Sequence, residues 1–460
     1  MNQMTSKQRK LVYVFCILVL LAPIIGLGMP STGPDSGGYL ARMRREHELG
    51  ETTLGNVDPA SATMNLVLLG LRGIAVSTLW MQLEEEKNTK DWARMRATTE
   101  SVILLQPHFV KVWLFHGWNL SYNVSAEWDD VRDRYYWVKE GAKFTMNGSD
   151  RNSRSPELYF QIGQIVGHKV GRADEWRHFR RFFLSDPDKD RWEGRPDGDL
   201  NPNQKDNYLV AREWYIRAND AESQGVRQHI MARYLFRAYP ARAQFEYAGA
   251  LGREGSFEER RRIAWEDALR FWTTEYGTDR FRATGPPYCE IMLEADDNVV
   301  AQLVRENNAS RQPGWPEVTE ADVREWIDSY QKQASYRAWR TRGESEADRN
   351  TLRAHRELFE GEELHWAAKL TESLETMASG MQHFEEMLVK YPALRHDDDT
   401  IEEAVRAVLV WQRIHRVLGE PLPETYPLLD MYVEHVDIAP QIEKRLTGPR
   451  TKDFELDDDE

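Results

Sequence analysis

The segment Gln106–Gly117 (QPHFVKVWLFHG) is the most informative about how the helices of this chain are arranged. Pro107 cannot continue a helix, because it lacks a backbone N–H and its ring clashes with the preceding turn. Trp113 follows six residues later and can fill the space between neighbouring helices. Gly117, four residues further on, has no side chain and lets two helix backbones approach closely. The segment therefore predicts the end of one pair of antiparallel helices and the start of the next.

A second segment, Pro156–Gly163 (PELYFQIG), repeats the aromatic residue and the glycine 46 residues later. The prolines in Tyr239-Pro240 and Tyr391-Pro392 give the same signal for a helix end. Together these signals predict helical hairpins, which are 64–86 with 91–106, 108–124 with 127–146, 156–171 with 173–184, 207–218 with 223–239, and 242–254 with 257–276.

Apolar residues recur at three- and four-residue spacing along the chain, and no stretch shows the sustained two-residue alternation of a strand. Thr319 with Asp322 and Ser345 with Asp348 mark two helix starts. The clearest periodic run, predicted to lie on one face of a helix that ends before Pro392, is Trp366, Leu370, Leu374, Met377, Met381, Phe384 and Leu388. The pattern predicts an all-α fold.

The two proline–aromatic–glycine segments resemble the junctions between tetratricopeptide repeats, most closely over 64–184. The resemblance implies an α-solenoid of helical hairpins that binds another protein. Repeats that clamp a carboxylate place Lys and Asn around the glycine, whereas here the neighbours are His116, Trp118 and Gln164. A carboxylate clamp is therefore not expected. The alternative is a generic helical bundle in which Pro and Gly simply mark helix ends.

The block Gly70–Trp80 is similar to the opening of membrane-anchored bacterial repeat proteins of that kind. The whole chain is also similar to a planctomycete group that carries the label "IRE (iron responsive element)". That label describes an RNA structure, so the resemblance implies no activity.

Leu11–Met29 is a run of 19 residues without a charge, preceded by Lys7, Arg9 and Lys10. Such a helix is about 28 Å long, close to the ~30 Å hydrocarbon thickness of a bilayer. The run predicts a single-pass transmembrane anchor in the cell membrane. A cleaved signal peptide is the alternative, although its apolar core is usually only about 7–15 residues long.

The basic residues before this run favour a cytoplasmic N-terminus and an extracytoplasmic location for the bulk of the chain. Arg42, Arg44 and Arg45 follow the run and compete with that orientation. A second apolar stretch, Met64–Leu83, carries Arg72 near its centre, which costs about 2.5–3.5 kcal/mol in a membrane. This stretch predicts a helix of the folded domain.

The segments Gly285-Pro286-Pro287 and Gln312–Pro316 bracket a predicted single helix around Tyr288–Glu306. We interpret this region as a joint between two helical blocks. The predicted organisation is a cytoplasmic stub and anchor at 1–29, a linker at 30–63, a helical-repeat block at 64–276, a connecting segment at 277–316, a C-terminal helical block at 317–446 and an acidic tail at 447–460.

The chain has 460 residues, with 60 Lys and Arg against 75 Asp and Glu, and a net charge of −15. This balance argues against nucleic acid as a partner, because such binding rests on clustered cations. Two cysteines exclude a disulfide framework. No phosphate loop, nucleophile elbow or zinc-ligand pattern occurs, so we predict no catalytic, cofactor-binding or metal-binding residues.

Three further features have both a functional and a structural interpretation. The acidic loop from Asp186 to Asp199 has Arg191 and Asp197 where a calcium loop needs Gly and Glu, so a solvated loop is favoured. The arginine runs Arg177–Arg181 and Arg260–Arg262 are interpreted as solvated helix faces. Six aromatic residues lie close together in the sequence, and we interpret them as packing between helices. They are Trp113, Trp118, Trp128, Tyr135, Tyr136 and Trp137.

The sequence therefore predicts a membrane-anchored helical-repeat scaffold, without catalytic activity, that binds an unidentified protein partner. The alternative is a carbohydrate-active α/α-toroid enzyme, which would use paired carboxylates beside exposed aromatic residues. The two hypotheses differ in where the aromatic side chains and the carboxylates lie.

Overall fold

The computed structural model describes residues 72–447, together with Val12, Phe15, Cys16, Val19 and Leu20. Most of Leu11–Met29, the linker at 30–63, residues 64–71 and the tail after Thr447 therefore lie outside the described residues. Among the described residues, no helix is both long and apolar enough to cross a membrane.

The described chain is mostly helical and has almost no strand, so the all-α prediction is confirmed. In chain order the helices are α1 (Arg72–Asn88), α2 (Trp92–Leu105), α3 (Val110–Trp118), α4 (Val131–Arg151), α5 (Pro156–Gly163), α6 (Val170–Arg172), α7 (Trp176–Leu184), α8 (Lys189–Trp192), α9 (Asn207–Ser223), α10 (Arg233–Arg237), α11 (Tyr239–Arg253), α12 (Glu259–Arg270), α13 (Asp297–Ala309), α14 (Glu320–Gln333), α15 (Tyr336–Glu346), α16 (Arg349–Trp366), α17 (Leu370–Lys390), α18 (Asp398–Leu418), α19 (Leu429–Glu434) and α20 (Ala439–Thr447).

Three helices continue directly as π-helical segments, in which the turn widens. These segments are Asn119–Val124 after α3, Gln164–Lys169 after α5 and Phe271–Tyr276 after α12. The first begins two residues after Gly117, and the second begins directly after Gly163. These are the glycines of the two repeated segments. No signal in the sequence predicted this recurrence.

The region around Tyr288 differs from the predicted single helix. A two-stranded antiparallel sheet, β1 (Phe281–Arg282) and β2 (Glu290–Ile291), occupies its beginning. Helix α13 starts only at Asp297, where the Asp296 side chain accepts a hydrogen bond from the Val299 N–H. Residues 290 and 291 are in an extended conformation because they pair with β1, so a helix cannot begin until after β2.

The periodic run of seven apolar residues also spans two helices rather than one. Trp366 ends α16, and Ala368 adopts a left-handed conformation with φ of 59° before α17 begins at Leu370. The other six residues share a face of α17, where Met377, Met381 and Phe384 are fully buried. Helix α17 ends before Pro392 as predicted.

The described chain divides into two compact units. The first contains α1–α5 and the chain as far as Ile165, together with Asp220–Arg227, and Leu83, Met95 and Trp113 lie in its core. The second contains Val166–Asn219 and the chain from Gln228 onward. It has one apolar core over residues 208–336 and another over 354–446.

Candidate functional site

Helices α3 and α4 pack with their backbones almost in contact. A Cβ atom at Gly117 would lie 2.1 Å from the Thr145 Oγ1 and 3.1 Å from the Gly141 carbonyl oxygen. A Cβ atom at Gly141 would lie 2.1 Å from the Ser121 Oγ. The close approach that the sequence predicted at Gly117 is therefore confirmed.

Trp113 occupies the predicted space between helices. It is 4% exposed, its indole N–H donates to the Pro107 carbonyl at 2.8 Å, and its ring lies 4.9 Å from that of Phe144. Tyr135 is also buried. For these two residues the packing interpretation is confirmed.

For three of the other aromatic residues the packing interpretation is wrong. Trp118 is 45% exposed, Trp128 is 42% exposed and Tyr136 is 49% exposed. Trp118 stacks on Tyr122 with ring centroids 3.8 Å apart. Tyr136 follows the buried Tyr135 on α4 and therefore points about 100° further around the helix, away from the core.

Trp128, Tyr136 and Trp137 form a cluster that we term the aromatic corner. The Trp128 and Trp137 rings are stacked with centroids 6.3 Å apart, and Tyr136 meets Trp137 edge to face at 5.4 Å. The cluster lies where the chain turns from α3 into α4. Trp and Tyr are the residue types that most often dominate binding energy at protein interfaces.

Polar contacts fix the backbone of this corner. The Arg134 Nε donates to the Trp128 carbonyl at 2.5 Å, and Lys90 pairs with Glu127 at 2.6 Å. The Asp130 carboxylate caps α4 by accepting from the Arg132 N–H at 2.6 Å. A surface whose backbone is already held in place loses less conformational entropy on binding than a mobile loop does.

Two carboxylates flank the corner without an ion pair or side-chain hydrogen bond among the described residues. These are Asp129 and Asp133, both exposed. The arrangement offers flat apolar rings beside negative charge. It suits apolar or cationic side chains of a ligand, because a cation is attracted to the face of an aromatic ring.

The acidic loop folds back on itself. Asp186 accepts a hydrogen bond from the Asp188 N–H, and Asp197 accepts one from the Asp199 N–H, both at 3.0 Å. Asp186 and Asp197 are buried rather than solvated. No group of three or more metal-binding side chains occurs among the residues that the structure describes.

The histidines of the described chain include two that are buried in opposite electrostatic settings. Burial, with the charge of Arg96, lowers the pKa of His116 to about 4, and its Nδ1 lies 3.2 Å from the Thr99 Oγ1. Burial would lower the pKa of His355 as well, but the negative charges of Glu403 and Glu346 outweigh burial and raise that pKa to about 9.

Each arginine run contains one buried residue, so the interpretation as solvated faces is wrong at these two positions. Arg180 is 4% exposed and pairs with Asp206 at 2.8 Å and Glu254 at 2.7 Å. Arg261 is 5% exposed and pairs with Glu346 at 2.8 Å. The carboxylate partners are distant in sequence, so no local signal could have identified these pairs.

Comparisons with known proteins identify no family for this chain. The chain matches no protein-family model, and no curated protein matches it. The fold and the corner define an all-α protein of helical hairpins with an exposed aromatic cluster.

Proposed function

We propose that this chain is a membrane-anchored helical-repeat scaffold that binds another protein through the aromatic corner. The observation that carries the proposal is the exposure of two neighbouring aromatic residues, Trp128 on a turn whose backbone is held by hydrogen bonds and Tyr136 on α4. Large aromatic side chains are usually buried when they serve the fold alone. Their exposure in a rigid setting favours a role in contact with a partner.

The tetratricopeptide-like solenoid belongs to this proposal. Support comes from the helical hairpins, from the close approach at Gly117 and from the π-helical segments that follow both repeated glycines. The single-pass anchor at Leu11–Met29 and the extracytoplasmic location of the remaining chain rest on the sequence alone. The absence of catalytic activity likewise remains part of the proposal.

The experiment is quantitative co-purification of the tagged, intact chain from gently solubilised native membranes. The test variant carries Trp128→Ala with Tyr136→Ala, and the control carries Val389→Ala with Val433→Ala, two apolar residues that are 78% and 63% exposed on α17 and α19. We expect a near-stoichiometric protein that the test variant loses at least fivefold and the control retains. If the chain elutes alone, or if both variants retain the same proteins, the scaffold proposal fails at this surface.

The alternative is an enzyme acting on carbohydrate, and the observation that favours it is the pair Asp129 and Asp133 beside exposed aromatic rings. Aromatic rings stack on sugars, and glycoside hydrolysis uses two carboxyl groups about 5–10 Å apart. Glycan binding and hydrolysis assays with the intact chain and with Asp129→Asn and Asp133→Asn distinguish the two functions. Hydrolysis that either substitution abolishes would favour the enzyme.

A further inference from the structure

Helix α1 has an uncharged, exposed face at the start of the first compact unit. Ile74 is 67% exposed and Met81 is 66% exposed. They are seven residues apart, which is close to two helical turns, so they share one face over about 10 Å. Val76 and Leu83 lie on the opposite face and are buried in the core of this unit. We use the term α1 outer face for the exposed residues Ile74, Ser77, Thr78 and Met81.

The two hydroxyl groups of this face are hydrogen-bonded within the helix. The Ser77 Oγ donates to the Gly73 carbonyl at 2.9 Å, and the Thr78 Oγ1 donates to the Ile74 carbonyl at 3.0 Å. A hydroxyl is costly to remove from water mainly when its hydrogen bond is lost. Because both donors keep a backbone partner, the whole face can be covered by an apolar surrounding at little cost.

Charge is distributed unevenly along α1. Residues 73–83 (GIAVSTLWMQL) contain no Asp, Glu, Lys or Arg, whereas residues 84–86 are three consecutive glutamates. Of these, Glu85 continues the outer face and is exposed. The eight residues at 64–71 (MNLVLLGL), just before the helix, are also uncharged. The apolar sequence therefore enters α1 from its N-terminal side, and the charged sequence begins only in the second half of the helix.

We propose that the α1 outer face rests on the lipid bilayer, with Ile74 and Met81 among the lipids and Glu85 in water. A helix that binds a membrane surface in this way buries its apolar face about 5–10 Å into the boundary between headgroups and acyl chains. The contact lies on the membrane and does not cross it. The inference rests on the proposed anchor at Leu11–Met29, which would hold the chain beside a bilayer, and it adds a second point of attachment.

A second copy of the chain fits this face less well than a bilayer does. If two α1 helices paired in parallel, Glu85 would face Glu85, and like charges in contact are unfavourable. If they paired antiparallel, Glu85 would lie near Ile74, which would remove the carboxylate from water without a cation. A bilayer avoids both costs, because the glutamates can remain in the aqueous phase.

The test measures how deeply single positions of the full-length chain lie in phosphatidylcholine vesicles. Each variant carries Cys16→Ala and one nitroxide-labelled cysteine. Cys289 stays unlabelled, because it is buried and burial raises its pKa to about 11. Relaxation by oxygen, which concentrates in acyl chains, is compared with relaxation by a nickel chelate, which stays in water. The labelled positions are introduced by Ile74→Cys, Met81→Cys, Glu85→Cys and Val389→Cys.

We expect the ratio of oxygen to nickel relaxation at positions 74 and 81 to exceed the ratio at positions 85 and 389 by roughly fivefold or more, because the apolar layer of a bilayer holds no water. Position 85 is the matched control, since it lies on the same face of the same helix. Position 389 is an exposed control in the second compact unit. Thermal unfolding of each labelled chain shows that the fold is retained.

Three outcomes would overturn the proposal. Equal ratios at the four positions, in a chain that floats with the vesicles, would leave the anchor in place and exclude the α1 contact. Low relaxation by both reagents at positions 74 and 81, with dipolar broadening between labels, would assign the face to a second copy. A chain that does not float with the vesicles would contradict the anchor and the α1 contact together.

Discussion

The Nδ1 atom of His355 lies 2.7 Å from the Oε1 atom of Glu403, and its Nε2 atom lies 3.5 Å from the Oε1 atom of Glu346. The buried imidazole thus connects α16 to α18 and to the end of α15. Burial by itself would raise the pKa of Glu346, but the positive charges of Arg261 and His355 outweigh burial and lower that pKa. These helices are therefore joined by a network of buried charges.

This network makes stability depend on pH. Because the folded-state pKa of His355 is raised to about 9, its contribution to the free energy of unfolding is complete below its ordinary pKa near 6.5 and disappears as the pH rises through 9. We expect the chain to lose up to roughly 3 kcal/mol between pH 6.5 and pH 9.5 from this group. Urea unfolding at both pH values, compared with His355→Gln, measures it. A variant with the same pH dependence as the unchanged chain would contradict the assignment.

The surroundings of two glycines, Gly117 and Gly249, predict that replacing each by Ala changes stability in opposite directions. Gly117→Ala would place a Cβ atom 2.1 Å from the Thr145 Oγ1, and we expect it to destabilise the fold by about 1–3 kcal/mol. Gly249→Ala, in α11, meets no atom within 4 Å and should stabilise the helix by up to about 1 kcal/mol. Chemical unfolding of both variants provides the comparison. Equal effects would mean that α3 and α4 do not approach as closely as described.

The adjacent residues Tyr135 and Tyr136 should differ in their contribution to stability, because only Tyr135 is buried. Tyr135 is 1% exposed, so Tyr135→Ala should cost about 3–5 kcal/mol, whereas Tyr136→Ala should cost about 1 kcal/mol or less. Thermal unfolding of the two variants measures the difference. A large loss for Tyr136→Ala would assign the aromatic corner to the core of the fold.

Substitutions of the buried pair Arg180 and Asp206 should have non-additive effects on the free energy of unfolding. Arg180→Met leaves Asp206 without its cation and is expected to cost about 3–5 kcal/mol. Adding Asp206→Asn removes the uncompensated charge and should restore part of that loss. Urea unfolding of the two single variants and the double variant completes the cycle. Strict additivity would show that the two side chains do not interact.

The acidic loop at 186–199 should not respond to calcium. Its Asp186 and Asp197 carboxylates accept hydrogen bonds from their own loop, and no metal-binding group of three or more side chains occurs among residues 72–447. We expect the same melting temperature in 1 mM calcium and in excess chelator. A rise of several degrees with calcium would show that this loop holds a cation, since a ligand that binds only the folded state stabilises it.

The helical class and the main helix ends could be predicted from local sequence patterns. Pro107 and Pro392 lack the N–H that a continuing helix needs, and the apolar spacing of Met377, Met381 and Phe384 matches 3.6 residues per turn. These are local effects, so they can be read from neighbouring residues. The late start of α13 shows the limit, because a strand pair between residues 281 and 291 replaced the expected helical turn.

Which members of a local cluster are buried depends on tertiary contacts. Trp113 and Trp128 are alike in sequence terms, yet one fills a gap between helices and the other is exposed on a turn. Arg180 is buried because Asp206 and Glu254 reach it from other elements. Burial and ion pairing depend on residues that meet in space from distant parts of the chain. Helical periodicity cannot identify those partners, because it reflects only neighbouring residues.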